Sequence, residues 1–259
     1  MAEFGRFGDV VVELGDDFVA IAEIRRAPNN FFDQTLIAHL ADAFEKLDTE
    51  PRCRAAVLAT EGKHFCAGAN FSVERPGLGT VGAHLYDEAV RLFATRTPVV
   101  AAVQGAAIGG GLGLALWPDF RVAAPDARFA ANFARLGFHH GFGLSVTLPR
   151  VVGQQRALEL LYTGARIDGE RALAIGLCDR LVPLEKLRDG ARAFAAEIAA
   201  SGPLAIASIR ETLRGGLAEE IRAATKRERA EQERLQHTSD FREGVAAMAD
   251  RRPPVFRGQ

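Results

Sequence analysis

Several kinds of chemistry are missing from this chain. It has three cysteines, Cys53, Cys66 and Cys178, an odd number with no C-x-x-C spacing, so neither a disulfide framework nor a zinc cage is indicated, and a reducing compartment is expected. There is no excess charge of one sign: 32 Lys+Arg face 33 Asp+Glu, a net charge of −1, with no sustained basic block to serve as a footprint for nucleic acid or an anionic membrane. No stretch reaches the roughly 18 uncharged apolar residues of a membrane span, and Met1–Val12 has no apolar core of a secretion signal. A soluble, cytoplasmic protein with no membrane or nucleic-acid partner is the expectation. The chain also lacks G-x-x-x-x-G-K-[ST], H-E-x-x-H, fixed-period repeats and Pro/Ser linkers. Gly143-Leu-Ser145-Val-Thr147 falls short of G-x-S-x-G because Thr147 replaces the last glycine.

What is present is an α/β pattern. Strand-like runs at Val10–Leu14, Phe18–Ile24, Ala55–Ala59, Val99–Val103 and Phe120–Ala123 alternate with helical stripes at Gln34–Asp48 and about Val81–Ala94. From Leu144 onward the pattern is mainly helical: Arg156–Tyr162, Gly169–Ile175, Leu184–Ala200, Pro203–Gly215 and Leu217–Leu235, with one short strand near Asp179–Val182. Within Glu219–Arg234, Arg227 with Glu231 and Arg229 with Glu233 stand at i,i+4, marking a solvated face or a subunit contact.

The informative segment runs from Pro98 to Leu116, a buried strand and a small-residue turn followed by Gly109-Gly-Gly111 opening an apolar helix. Such glycines let a ligand approach the main chain and leave N–H groups free to donate, the outline of an anion or oxyanion site. They equally permit close strand-to-helix packing. A dinucleotide fingerprint fails, since its third glycine would fall on Leu114 or Leu116. A second strand-to-turn segment, Ala56 to Asn70, offers a second amide that can converge on the same oxygen.

The pair Phe65-Cys-Ala-Gly-Ala-Asn70 and Gly105-Ala-Ala-Ile-Gly-Gly-Gly111 resembles the enoyl-CoA hydratase/isomerase (crotonase) superfamily. The resemblance continues through Asp119-Phe-Arg-Val-Ala-Ala124, Val151-Val-Gly153, Leu161-Tyr-Thr-Gly164, Ala172–Cys178 and the tail from Asp240 to Pro253. It implies a spiral of ββα units, here over residues 1–195, with a C-terminal helical trimerisation region over 196–259. It also implies a CoA thioester as substrate, no prosthetic group and no metal, and a homotrimer or homohexamer. By the same resemblance the N–H groups of Ala69 and Gly110 form an oxyanion hole, and CoA is held by Arg26 within Arg25–Pro28, by Ala67, Ala69, Asn70 and Phe71, and by Arg251 or Arg252 near the C-terminus.

The resemblance departs at the proton-transfer positions. The family's glutamate pair falls on Gly113 and near Phe133, and neither side chain can move a proton. Replacements are sought in Leu136–Ser145, where His139 and His140 are two of six histidines. His140 is preferred because an acidic catalytic residue occupies about that position in the related naphthoyl-CoA synthase branch; the alternative is that both rings cap or pack the loop. His64 reads as structural, His84, Tyr86 and Asp87 as ordinary surface, and Cys66 as a buried core thiol. Phe133, Phe138 and Phe142 hint at an apolar or aromatic acyl pocket.

The expected activity is stabilisation of a thioester enolate, with isomerisation or another single-base reaction favoured over hydration. The alternative is an acyl-CoA-binding member without catalysis, and a nicotinamide-dependent oxidoreductase is disfavoured by the glycine spacing.

Overall fold

The computed structural model describes residues 1–69 and 84–259. The chain opens as a meander of β1 (Ala2–Phe7), β2 (Val10–Leu14) and β3 (Val19–Ile24). Helix α1 (Gln34–Leu47) crosses over to β4 (Ala55–Thr60), and α2 (Leu85–Ala94) precedes β5 (Val99–Val103). Strand β6 (Ala106–Ile108) and helix α3 (Gly110–Leu116) lead to β7 (Phe120–Ala123). Next come β8 (Arg128–Ala130), a 3-10 turn at Asn132–Leu136, α4 (Leu144–Val152), α5 (Gln154–Thr163), β9 (Arg166–Asp168), α6 (Gly169–Ala174) and β10 (Arg180–Leu181). The remainder is helical: α7 (Leu187–Ala199), α8 (Pro203–Arg214), α9 (Leu217–Leu235) and α10 (Ser239–Ala249).

A seven-stranded sheet runs β1-β2-β3-β4-β5-β7-β10, antiparallel among the first three strands and parallel from β3 onward. A second sheet, β6-β8-β9, is tied to the first layer by a parallel bridge between Cys66 and Ala107. Alternation along β4 divides the core: Ala56 and Leu58 pack with α1, α2 and α3, while Ala55, Val57 and Ala59 pack with Leu187, Ala191, Ala195 and Ala199 of α7. The i,i+4 alanines of α7 bring that helix close to the sheet. On the other face the Phe44 and Trp117 rings meet edge-on at 4.6 Å. Each large side chain so buried contributes about 1.5–3 kcal/mol of transfer free energy.

Helix α1 forms where its stripe requires: Leu36, Ile37, Leu40, Phe44 and Leu47 are buried, and the Asp33 carboxylate accepts from Leu36 N–H at 2.8 Å as N-cap. The five expected strands sit within one residue of their observed ends. The expected helix at Leu184–Ala200 is split, because Leu184–Lys186 is a 3-10 turn and α7 starts at Leu187. Helix α8 is fastened by Asp119, whose carboxylate accepts from Val99 N–H at 2.8 Å and from Arg210 at 3.0 Å, with Arg214 at 3.2 Å. Both anticipated i,i+4 ion pairs of α9 form, at 2.9 and 2.7 Å.

Candidate active site

The two glycine-bearing turns are laced by main-chain bonds. Cys66 N–H donates to Ala106 O at 2.8 Å and Ile108 N–H donates back to Cys66 O at 3.1 Å. Gly111 makes the approach possible, since a Cβ there would run into the Cys66 carbonyl. Gly68, at φ +94°, takes a conformation L side chains rarely adopt, and a Cβ on it would lie 3.0 Å from Ile108 O.

Most amides of these turns are committed. Phe65 N–H donates to Gln104 O, Ala67 N–H to Asn29 O and Gly109 N–H to Ala130 O, all at 2.8–2.9 Å. Those of Ala69 and Gly110 have no acceptor among the described residues, and both residues line one cavity of about 610 Å³. Gly110 is buried, so its unmatched donor is costly unless something polar comes to it. A Cβ at Gly110 would overlap the ring of Phe32, whose own N–H donates to Gly68 O at 3.1 Å.

The cavity walls are mainly apolar and aromatic, with Phe31, Phe32, Leu85, Phe133, Leu136 and Phe142 among them. Polar groups reach it from Tyr86, Asn132 and Gln232, and cationic or titratable ones from His64, Arg128 and Arg166. Among the described residues no aspartate or glutamate lines it, and no group of three His, Cys, Asp or Glu could hold a metal ion. No described helix is long and apolar enough to cross a membrane.

Of the residues singled out from sequence, the structure brings Ala67, Ala69 and Gly110 together on this cavity. Asn70 and Phe71 lie outside the described residues. Arg26 is not in the cavity lining; its guanidinium is engaged by Asp9 and, at 2.8 Å, by Asp33. Arg252 pairs with Glu243 at 2.6 Å. Neither His139 nor His140 lines the cavity. The His139 Nδ1 lies 2.7 Å from His140 O, the two rings stack with centroids 4.2 Å apart, and His140 Nε2 lies 2.8 Å from Ser145 Oγ. Burial, with the neighbouring His139 adding to it, holds the His140 imidazole down at about 4. A ring so placed is turned to the start of α4.

Gly113 is absent from the cavity lining because Phe142 fills the space above it: a Cβ on Gly113 would lie 2.7 Å from Phe142 Cβ. Phe142 itself holds φ +61° and meets Phe32 edge-on at 5.7 Å. Phe133, at the other glutamate position, does line the cavity. Cys66 is buried, and burial pushes its thiol up to about 12, which leaves it unreactive.

Tyr86 departs from the surface reading. It is buried, its hydroxyl donates to Gln232 Oε1 at 2.6 Å, and Gln232 Nε2 donates to His139 O at 2.9 Å. His84 next to it is the N-cap of α2 in a reciprocal capping box with Asp87. Gln232, Arg128, Arg166 and Asn132 were not recognised from sequence. The one available signal for Gln232 was that it is the only side-chain amide within the highly charged run Glu219–Arg234.

Residues 17–259 match the family model for enoyl-CoA hydratase/isomerase. A probable enoyl-CoA hydratase of Bacillus subtilis is 32% identical over 254 residues, covering 94% of this chain and 97% of that protein. The 1,2-epoxyphenylacetyl-CoA isomerase of Escherichia coli is 30% identical over 238 residues, 89% and 91% of the two chains. The crystal structure of an enoyl-CoA hydratase/isomerase from Pseudoalteromonas atlantica superimposes with TM-score 0.87 at 30% identity, covering 96% of this chain and 100% of that one.

Proposed function

The chain belongs to the enoyl-CoA hydratase/isomerase family, and from that premise we propose that its cavity takes an acyl-CoA thioester whose acyl oxygen is held by the main-chain N–H groups of Ala69 and Gly110. The observation that carries the proposal is the pair of unmatched donors, from two turns laced together, on one cavity. Removing an α-proton from a thioester, or adding to its enoyl form, moves negative charge onto that oxygen. A pre-aimed N–H stabilises the charge as it develops, and losing one such donor raises the barrier by about 2.7–4 kcal/mol. No prosthetic group is required.

Isomerisation or another enolate reaction with a single base is proposed over hydration. Hydration requires one group to activate water and another to deliver a proton, and Gly113 and Phe133 supply neither. A second reading, an acyl-CoA-binding protein without turnover, is favoured by the absence of any carboxylate among the described lining residues. Assembly as a homotrimer or homohexamer is proposed with the same premise, supported by the exposed Leu204, Ile209 and Leu213 of α8.

The test is deuterium exchange at the α-carbon of saturated and 3-enoyl thioesters in heavy water, followed by NMR, alongside a direct binding titration. Exchange, or conversion of 3-enoyl to 2-enoyl without accumulation of a 3-hydroxyacyl product, supports the first reading. Binding without exchange supports the second, accumulation of the hydroxyacyl product overturns the preference against hydration, and no binding of any thioester overturns the proposal.

A further inference from the structure

In the three-stranded sheet Ala106 pairs with Arg128, Ile108 with Ala130, and Ala130 with Arg166. Directly paired residues stand on the same face, so Ala106, Ile108, Arg128 and Arg166 share one, and all four line the cavity. Arg128 and Arg166 are the only arginine or lysine residues among its described lining, and neither guanidinium has an ion pair or hydrogen bond among the described residues. Most described arginines do have a side-chain partner, although Arg6, Arg171, Arg251 and Arg257 also lack one. Arg26 engages Asp9 and Asp33, Arg91 engages Asp42, Glu45 and Glu88, and Arg252 engages Glu243. Asp168, directly opposite Arg128 in the ladder, turns its carboxylate to Arg171 N–H at 2.8 Å as the N-cap of α6.

His64 adds a third donor to this wall. Its Nδ1 accepts from Ala106 N–H at 3.2 Å, which fixes the proton of the neutral ring on Nε2. Burial, followed by the charges of Lys63 and Arg128, keeps that imidazole below its ordinary pKa, so the ring stays neutral near pH 7 and presents an N–H. Two like charges on one sheet face repel each other, and a bound anion reverses the sign of that interaction. Planar guanidinium groups with free forks match the oxygens of a carboxylate or phosphate.

We propose, resting on the reading that the cavity takes a CoA thioester, that Arg128, Arg166 and the Nε2–H of His64 form an anion subsite for an oxyanion group of that ligand. Two parts of such a ligand carry the required chemistry: the phosphates of its nucleotide and a carboxylate at the far end of its acyl group. Both arginines are solvent-exposed, so their replacement leaves the core untouched.

The experiment measures binding of five ligands to wild type, Arg128→Ala, Arg166→Ala and the double variant: CoA, dephospho-CoA, butyryl-CoA, a dicarboxylic acyl-CoA and butyryl-pantetheine. Thermal melts of each variant confirm that it is folded. A nucleotide source predicts that the double variant loses about tenfold to hundredfold in affinity for the CoA-bearing ligands, with butyryl-pantetheine unchanged. Dephospho-CoA assigns the loss to the 3′-phosphate if it alone among the nucleotide ligands is spared. An acyl source predicts a loss confined to the dicarboxylic acyl-CoA. The subsite is refuted if folded variants bind all five ligands as wild type does, or if all five weaken alike, butyryl-pantetheine included. Failure of the wild type to bind any thioester refutes instead the reading on which the subsite rests.

Discussion

The Tyr86 hydroxyl donates to the side-chain carbonyl of Gln232 at 2.6 Å, joining α2 to α9 across the wall of the cavity. Gly141 is the residue that admits this bond, because a Cβ there would collide with the Tyr86 hydroxyl. Tyr86→Phe leaves the Gln232 carbonyl without that donor in a buried setting and is expected to destabilise the protein by about 1 kcal/mol in urea unfolding. Gly141→Ala, which forces the two apart, is expected to lose more. An unchanged midpoint for Tyr86→Phe would show that the bond contributes nothing to holding α9 over the cavity.

The two glutamate positions of the family are predicted to differ in their response to a restored carboxylate. At Gly113 the space is taken by Phe142, so Gly113→Glu overpacks a buried site and buries a charge; a loss of about 3 kcal/mol or more is expected, with no gain of hydratase activity. Phe133 is half-buried and faces the cavity, so Phe133→Glu is expected to fold with a loss of about 1–2 kcal/mol and to raise α-proton exchange. Equal stability of the two variants would contradict the account of Phe142.

Helix α4 has no side-chain cap of its own, because its N-cap is Gly143; the Glu228 carboxylate of α9 does the work, accepting from Gly143 N–H at 2.9 Å and Ser145 N–H at 3.0 Å. Glu228 is fully buried. Glu228→Ala strands two donors at a helix N-terminus and is expected to cost about 3 kcal/mol, with Glu228→Gln costing less because the amide carbonyl still accepts one bond. Denaturant midpoints of the pair check this ordering.

Stability is expected to fall on mild acidification through His140. Its ring titrates near 4 when folded and near 6.5 when unfolded. Between those values the unfolded chain holds the extra proton, so each step down in pH favours unfolding, and the penalty is complete below about 4. His140→Gln, which keeps a partner for Ser145, is expected to flatten that slope, recovering about 1 kcal/mol at pH 4.5 for a ring that is only partly buried. A pH-stability curve of the same slope in both proteins would contradict the assignment.

Much of the large sheet was legible in the sequence, because β5 and all but the last residue of β4 are runs of Val, Ala and Leu buried on both sides, and the stripe of α1 is uninterrupted from Leu36 to Leu47. Strands β6, β8 and β9 are three residues each, too short for any period to register, yet they carry Ala106, Arg128 and Arg166 to the cavity. The turns that hold Ala69 and Gly110 were legible because they need small residues. The histidine pair lies away from the cavity lining for a local reason: Phe142 and Gly143 hold positive φ and turn the chain so that His140 meets Ser145. Gln232 and Tyr86 are 146 residues apart and meet only through tertiary packing.

The central claim is that two main-chain donors share one acyl oxygen. A crystal structure with a saturated, non-reacting acyl-CoA tests it most directly. The account predicts the thioester oxygen about 3 Å from both Ala69 N and Gly110 N, with the Phe32 ring still resting on Gly110. An ordered thioester whose oxygen is bonded elsewhere, with either amide left unmatched, would contradict it.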